Sequence, residues 1–195
     1  QTMGPYIKYP SGQSDQKKLS YEKQIMHEII HQLPDFRLFI QHFHYSITNW
    51  LPFYWQGFKQ STRYTYIIDD LSNFNSVFAN FSHAKRKNIK KAEKIVTVKF
   101  DLPAKEFYEN HQLTLKKQNK KIFYDFKLFE KIYSTCYKHN AGKTIYTIDS
   151  NNNIHSALFV IWCNTSAYNL ISTIDPDFKD SGSASLLISD IIKFV

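Results

Sequence analysis

Residues 143–174 read KTIYTIDSNNNIHSALFVIWCNTSAYNLISTI, and this stretch decides the fold class. It consists of three runs rich in β-branched and aromatic residues, which favour β-strands. The polar segments SNNN and NTS separate the runs and have the composition of tight turns. The stretch therefore predicts three consecutive antiparallel strands, at residues 143–148, 154–163 and 167–174.

Helices and one more strand flank these three strands in the sequence. Residues 95–100 alternate between apolar and polar side chains, as in a half-buried strand. Pro103 and Asp125 begin two predicted helices, Gly142 is the expected stop of the second, and a last helix begins near Ser183. This order predicts an α/β (α+β) fold, with a mixed and mainly antiparallel sheet flanked by helices.

The first half of the chain is less regular. Ser20 is a plausible N-cap of a helix that ends before Pro34. Alternating patterns predict strands at residues 36–44 and 63–68, and a long helical region follows at 71–94.

The end of that helical region, residues 82–94, reads SHAKRKNIKKAEK and has one apolar and one cationic face. Residues 85–121 contain 12 basic and 4 acidic side chains, which equals the whole formal excess of +8. This distribution favours an anionic ligand, although a solvated charged face has the same pattern. Lys85 falls on the apolar stripe, so either the helix breaks near Ser82 or Lys85 points inward.

Composition limits the class of protein. The chain has 195 residues, of which 43% are hydrophobic and 16% aromatic, enough for one sizeable core or two small ones. No run approaches the roughly 18 apolar residues of a membrane span, and no secretory signal is visible, so we expect a cytoplasmic protein. Cys136 and Cys163 have no metal-site spacing and are expected to be core thiols. The chain starts without Met and stops inside an apolar helical pattern, so we expect it to be part of a longer protein.

Three segments carry a resemblance to a known family. They are RYTYIIDDL at residues 63–71, KRKNIKKAEK at 85–94 and IHSALFVIWCNTSAYNLISTIDP at 154–176. Together they resemble the Fem-type aminoacyl and acyl transferases and their GNAT-like relatives of the methicillin-resistance type, which pair two GNAT-like halves. The resemblance implies that residues 1–94 are a degenerate first half ending in the basic helix, and residues 95–195 the front part of a second, incomplete half.

The resemblance also implies a site for the donor. Residues 179–184, KDSGSA, fit the Q/R-x-x-G-x-G/A loop of GNAT proteins with Lys in the first place. Gly182 would let backbone N–H groups approach a pyrophosphate at a helix N-terminus. The same residues also fit an ordinary Ser-capped helix that follows a glycine turn. The implied donor is acyl-CoA or aminoacyl-tRNA, and the residues expected to bind it are Lys179, Ser181, Gly182, Ser183, Ala184, Lys85 and Arg86.

Acyl transfer to an amine needs a neutral amine held against the acyl carbonyl, with N–H donors where negative charge develops. The resemblance implies that backbone N–H groups of the strand at 167–174 are these donors. Asp175, His155 and Tyr168 are candidate general bases, and each also has a structural interpretation. The expected acceptor is a small-molecule or peptidyl amine, tRNA is a possible partner, and no metal is expected.

Two other functions have sequence support. His27, Glu28 and His31 spell HExxH, which on a helix can hold zinc for a metallopeptidase, with Glu93 or Glu106 as an untested third ligand. The apolar stripe of that helix, however, turns both histidines outward. Alternatively, the basic helix could form a non-enzymatic surface that binds nucleic acid or glycans, together with a set of aromatic residues. Those residues are Trp50, Phe53, Tyr54 and Trp55.

Overall fold

The computed structural model describes residues 4–195 and divides the chain into two compact units. The first unit extends to Tyr66, and the second spans Ile67–Val195. Each unit is described by itself below.

The first unit contains two helices, α1 (Asp15–His31) and α2 (Leu51–Trp55). Ser14, not Ser20, caps α1, and the Ser20 hydroxyl instead donates to the carbonyl of Gln16 at 3.1 Å. The strands predicted at residues 36–44 and 63–68 are wrong, because both segments are irregular apart from a single bridge residue. An alternating pattern forms a strand only where a partner supplies the hydrogen-bond ladder, and Tyr64 and Tyr66 are almost fully exposed.

The second unit is an antiparallel sheet covered by helices, with strand order β1-β2-β3-β4. The strands are β1 (Thr97–Phe100), β2 (Gly142–Ile148), β3 (Ile154–Trp162) and β4 (Ala167–Ile174). The helices are α3 (Phe74–Ala79), α4 (His83–Ala92), α5 (Ala104–Lys117), α6 (Phe126–Lys138) and α7 (Ser183–Phe194), with a 3₁₀ turn at Pro176–Ser181. The predicted α+β class is confirmed, as are the three consecutive strands.

Both faces of the sheet are covered, which explains why β3 is apolar at almost every position. On one face, Phe159 packs with Phe107 of α5 and Phe129 of α6. On the other face, Leu158 packs with Leu187 of α7. Strands buried on two sides read as continuous apolar runs and not as alternating ones.

The helical region predicted at 71–94 is two helices, because α3 ends at Ala79 and Ser82 begins α4. The Ser82 side chain accepts a hydrogen bond from the Lys85 backbone N–H at 3.3 Å, as an N-cap does. The Lys85 side chain is exposed. Of the two alternatives, the helix break near Ser82 is therefore confirmed and the inward-pointing lysine is wrong. The apolar face of α4 is confirmed, since Ile89 and Ala92 are buried against Leu186 of α7.

This packing places α4 in the second unit. We predicted a boundary at residue 94, whereas the compact units divide after Tyr66. The assignment of the two parts to two GNAT-like halves stays a prediction.

Two local expectations are corrected. Gly142 is not the stop of α6, because it begins β2, and Asn140 has the positive φ of 49° that turns the chain. Cys136 is half-buried, but Cys163 is exposed in the turn before β4 and is not a core thiol. None of the helices described in residues 4–195 is both long and apolar enough to cross a bilayer.

Phe159→Ala is expected to lower the free energy of unfolding of the second unit by about 3–5 kcal/mol, because its ring is fully buried among other rings. Phe123→Ala is the matched control, since that ring is fully exposed and its loss should change stability by no more than about 0.5 kcal/mol. Urea denaturation of both variants measures the difference, and equal effects would contradict the assigned core.

Candidate functional site

The candidate site lies at one end of the strands, where β3 begins and β4 ends; we call this the upper end of the sheet. Antiparallel pairing brings His155 and Asp175 together here, and the Asp175 backbone N–H donates to the His155 carbonyl at 3.0 Å. Two of the three predicted general bases, His155 and Asp175, are therefore neighbours at this end of the adjacent strands β3 and β4. Tyr168 lies near the opposite end of β4, seven residues or roughly 23 Å of strand away, and is half exposed.

Asp175 is buried, with 5% of its surface exposed, and both of its carboxylate oxygens are occupied. Lys117 at the end of α5 donates to them at 2.8 and 2.7 Å and also contacts Asp177 at 2.6 Å. The Asp177 backbone N–H donates to Asp175 at 3.0 Å. Hydrogen bonds to the two carboxylates raise the pKa of Lys117 above its ordinary value. Asp175 thus fixes the start of the 3₁₀ turn against α5.

His155 is also buried, and its contacts fix the ring in place. Its Nε2 lies 3.2 Å from a carboxylate oxygen of Asp149, and its ring stacks on Phe178 of the 3₁₀ turn at 4.0 Å between centroids. Its Nδ1 is sealed from solvent and has no hydrogen-bond partner among residues 4–195. Hydrogen bonds from Asn153, with smaller contributions from His155 and Asn151, lower the pKa of Asp149 to about 2.

The loop at residues 179–184 comes after β4 and joins the end of the 3₁₀ turn to the first two residues of α7, as its sequence predicts. Gly182 has a φ of 82°, and a Cβ built there would lie 2.3 Å from the carbonyl oxygen of Asn88 in α4. The Lys91 ammonium donates to the Asp180 carbonyl at 2.6 Å. The loop is therefore docked on the basic helix, a contact that sequence reasoning missed because 89 residues separate Lys91 from Asp180.

The other predicted donor-binding residues have different surroundings. Ser181 and Ser183 are buried, and the Ser183 N–H donates to the Ser181 hydroxyl at 3.2 Å, so the Ser181 side chain shapes the start of α7. Lys179 is exposed beside them and Ala184 is half-buried. Arg86 donates to the carbonyl of Ala79 at 2.5 Å and joins α4 to the end of α3.

Strand β4 contains an irregularity in the middle of its ladder with β3. Phe159 pairs with Ile171, whereas Val160 pairs with Asn169, so Leu170 has no partner and forms a bulge. A bulge bends the strand and leaves backbone groups outside the ladder. Within the described sheet β4 is one of the two edge strands, so its outer N–H and C=O groups face away from β3.

A groove of about 600 Å³ adjoins His155 at the upper end of the sheet. It lies between the end of α4 and the turn that joins β2 to β3. Its charged lining residues are Glu93, Lys94, Lys99 and Asp149, and the His155 ring also lines it. Charges of both signs suit a small polar molecule that itself carries more than one charge.

The histidine pair of the zinc alternative and the aromatic set of the binding-surface alternative lie in the first unit, whereas the basic helix α4 lies in the second. His27 and His31 are exposed, with their Nε2 atoms 2.9 Å apart, as the outward orientation predicts. No third His, Cys, Asp or Glu joins them into a metal cluster in the part of the chain that the structure describes. Of the aromatic set, Phe53 is buried, whereas Tyr54 and Trp55 are more than half exposed.

Comparison with known proteins supports the fold but identifies no activity and no site residue. No protein-family model and no curated protein sequence matches the chain. Among solved structures, the fold is similar to that of "Crystal structure of FemX", with a TM-score of 0.56 and 12% sequence identity. The match covers 64% of this chain and 48% of the FemX chain, so the chain corresponds to about half of that structure. A Fem-like fold is confirmed.

Gly182→Ala is expected to loosen the loop from α4, because Ala there combines a disfavoured φ with a clash at the Asn88 carbonyl. Gly57→Ala is the control, since Gly57 has a φ of 84° with open space around it. The control should show only the conformational cost, roughly 1–2 kcal/mol. Hydrogen exchange should rise at residues 83–92 and 183–194 in the first variant only. Unchanged exchange there would contradict the docking.

Protonation of Asp149 is expected to lower the stability of the fold at acidic pH. Because its pKa is lowered to about 2 in the folded state, it stabilises the fold above pH 4, and this contribution is lost as the pH falls from about 4 to 2. Asp149→Asn should flatten the stability profile in that window. Urea midpoints measured at several pH values test this, and parallel profiles for the two proteins would refute it.

Proposed function

We propose that this protein transfers an acyl or aminoacyl group from acyl-CoA or aminoacyl-tRNA to an amine acceptor by direct attack, without a covalent enzyme intermediate. The proposal starts from the Fem-like fold and rests mainly on one observation. The glycine loop before α7 is docked on the basic helix α4, so two features that favour an anion form one surface.

The donor's phosphates are proposed to bind at this joint surface. Lys87 and Lys91 are one helical turn apart and lie on the same side of α4, and Lys91 already contacts the loop. Exposed Lys179 adds a third ammonium on the loop itself. The N-terminus of α7 contributes the positive end of its dipole. Lys117 pairs with both Asp175 and Asp177, so one negative charge remains in that group and opposes part of the attraction.

The acyl carbonyl is proposed to lie along the outer edge of β4. The bulge at Leu170 releases backbone groups from the ladder, and an edge N–H can donate to the carbonyl oxygen as negative charge develops there. Fixed backbone donors stabilise that charge without reorganising.

Asp175 and His155 are proposed to act as positioning residues. Asp175 holds the start of the 3₁₀ turn through Lys117, and His155 holds the middle of that turn through Phe178, which fixes the approach to the loop. The amine acceptor is proposed to approach the acyl carbonyl from the solvent side of the β4 edge, because direct attack needs its nitrogen within about 3–3.5 Å of the acyl carbon. The neutral amine forms the new C–N bond as the bond from the acyl carbon to the CoA sulfur or the tRNA ribose oxygen breaks. Water carries the proton from the amine nitrogen to the leaving thiolate or alkoxide, so placement supplies most of the catalysis.

Donor binding should weaken at least about tenfold in the double variant Lys87→Ala, Lys91→Ala, because two ammonium groups leave the anion surface. The matched control is Lys105→Ala, Lys127→Ala, which removes two exposed lysines from α5 and α6. Calorimetric titration with acyl-CoA, and filter binding with aminoacyl-tRNA, identify the donor, and turnover assays of the full-length protein test transfer. Absence of binding and turnover with both donors would overturn the proposal.

A further inference from the structure

We infer that His27 and His31 form a two-histidine chelating site for a borderline divalent transition metal such as Zn²⁺, Ni²⁺ or Cu²⁺. The site is separate from the proposed transfer reaction and lies entirely on α1. It is not the catalytic zinc site of a peptidase, because a peptidase needs a third protein ligand as well as the pair.

The distance between the two ring nitrogens carries the inference. Their Nε2 atoms lie 2.9 Å apart, and the ring centroids are separated by 4.3 Å with the planes at 84°. Zinc binds imidazole nitrogen at about 2.0–2.1 Å, so two nitrogens on one metal are about 2.8–3.0 Å apart at an octahedral angle and about 3.3–3.4 Å apart at a tetrahedral angle. The observed 2.9 Å matches the octahedral spacing and is a few tenths of an ångström short of the tetrahedral one.

The helix holds the pair in this arrangement. Met26 is buried and Ile29 is half-buried, which fixes the rotation of α1 and leaves both histidines on the outer side. Residues four apart stand one turn above each other on a helix, so both rings point the same way without strain.

Neighbouring charges do not oppose a cation at this position. Lys23, one turn before His27, directs its ammonium over the Trp55 ring at 5.6 Å and so away from the pair. Glu28 is adjacent in sequence and accepts a hydrogen bond from Gln24 at 3.1 Å. When no metal is bound, one imidazole must donate its Nε2 proton to the other, and a metal ion replaces that proton.

The test uses tag-free protein carrying Cys163→Ser, which removes an exposed thiol that would compete for metal. Zn²⁺ affinity is measured at pH 7.5 by competition with a chromogenic chelator. The key variant combines His31→Gln with Gln32→His, which keeps all eight histidines of the chain but changes the spacing from four residues to five. A second variant, His27→Gln with His31→Gln, removes the pair, and circular dichroism checks that each variant is folded.

We expect one equivalent of Zn²⁺ in the parent protein, and affinity at least about tenfold weaker in both variants, since each loses one or both direct ligands. Equal affinity in the respaced variant would show that the metal binds elsewhere and would overturn the inference. So would a parent protein that binds no more Zn²⁺ than the variant without the pair.

Discussion

The close contact between Gly182 and the carbonyl of Asn88 is the constraint on which the candidate site depends. No side chain larger than hydrogen fits between the loop backbone and α4, because a Cβ would lie 2.3 Å from the Asn88 oxygen. Since α4 and α7 also share the apolar cluster of Ile89, Ala92 and Leu186, the loop is fixed to both helices. One small residue thereby places a cationic helix face beside the N-terminus of another helix, where anion binding is favourable.

The sheet supplies the rigid side of the same site. Strand β3 is buried on both faces, so His155, its second residue, is held in a fixed position. From there the contacts run through the ring stack with Phe178 to the 3₁₀ turn, and through Lys117 and Asp175 to α5. The loop is held directly by α4, and the 3₁₀ turn that leads into it is held by α5 and β3. A loop fixed in this way loses little conformational entropy when a ligand binds.

The parts of the fold that sequence reasoning predicted correctly are those with local determinants. Strands β2, β3 and β4 follow from apolar runs between polar turns, and α6 follows from its Asp125 cap, which accepts from the Leu128 N–H at 2.8 Å. The contacts that build the site have no local signal, since Lys117 and Asp175 are 58 residues apart and Lys91 and Asp180 are 89 apart. The strand predictions at residues 36–44 and 63–68 are wrong because an alternating pattern is only local evidence. Neither segment has a partner strand in the structure.

The contacts of Asp175 and His155 also indicate what kind of catalysis such a site can perform. A carboxylate whose two oxygens accept from an ammonium and a backbone N–H is poorly placed to remove a proton from a substrate. An imidazole with one nitrogen on a carboxylate and the other sealed from solvent is equally constrained. Both groups are well suited, however, to holding a loop and a strand edge in fixed relation. Transfer to an amine gains rate from such fixed placement and from preorganised N–H donors, and neither requires a strong base.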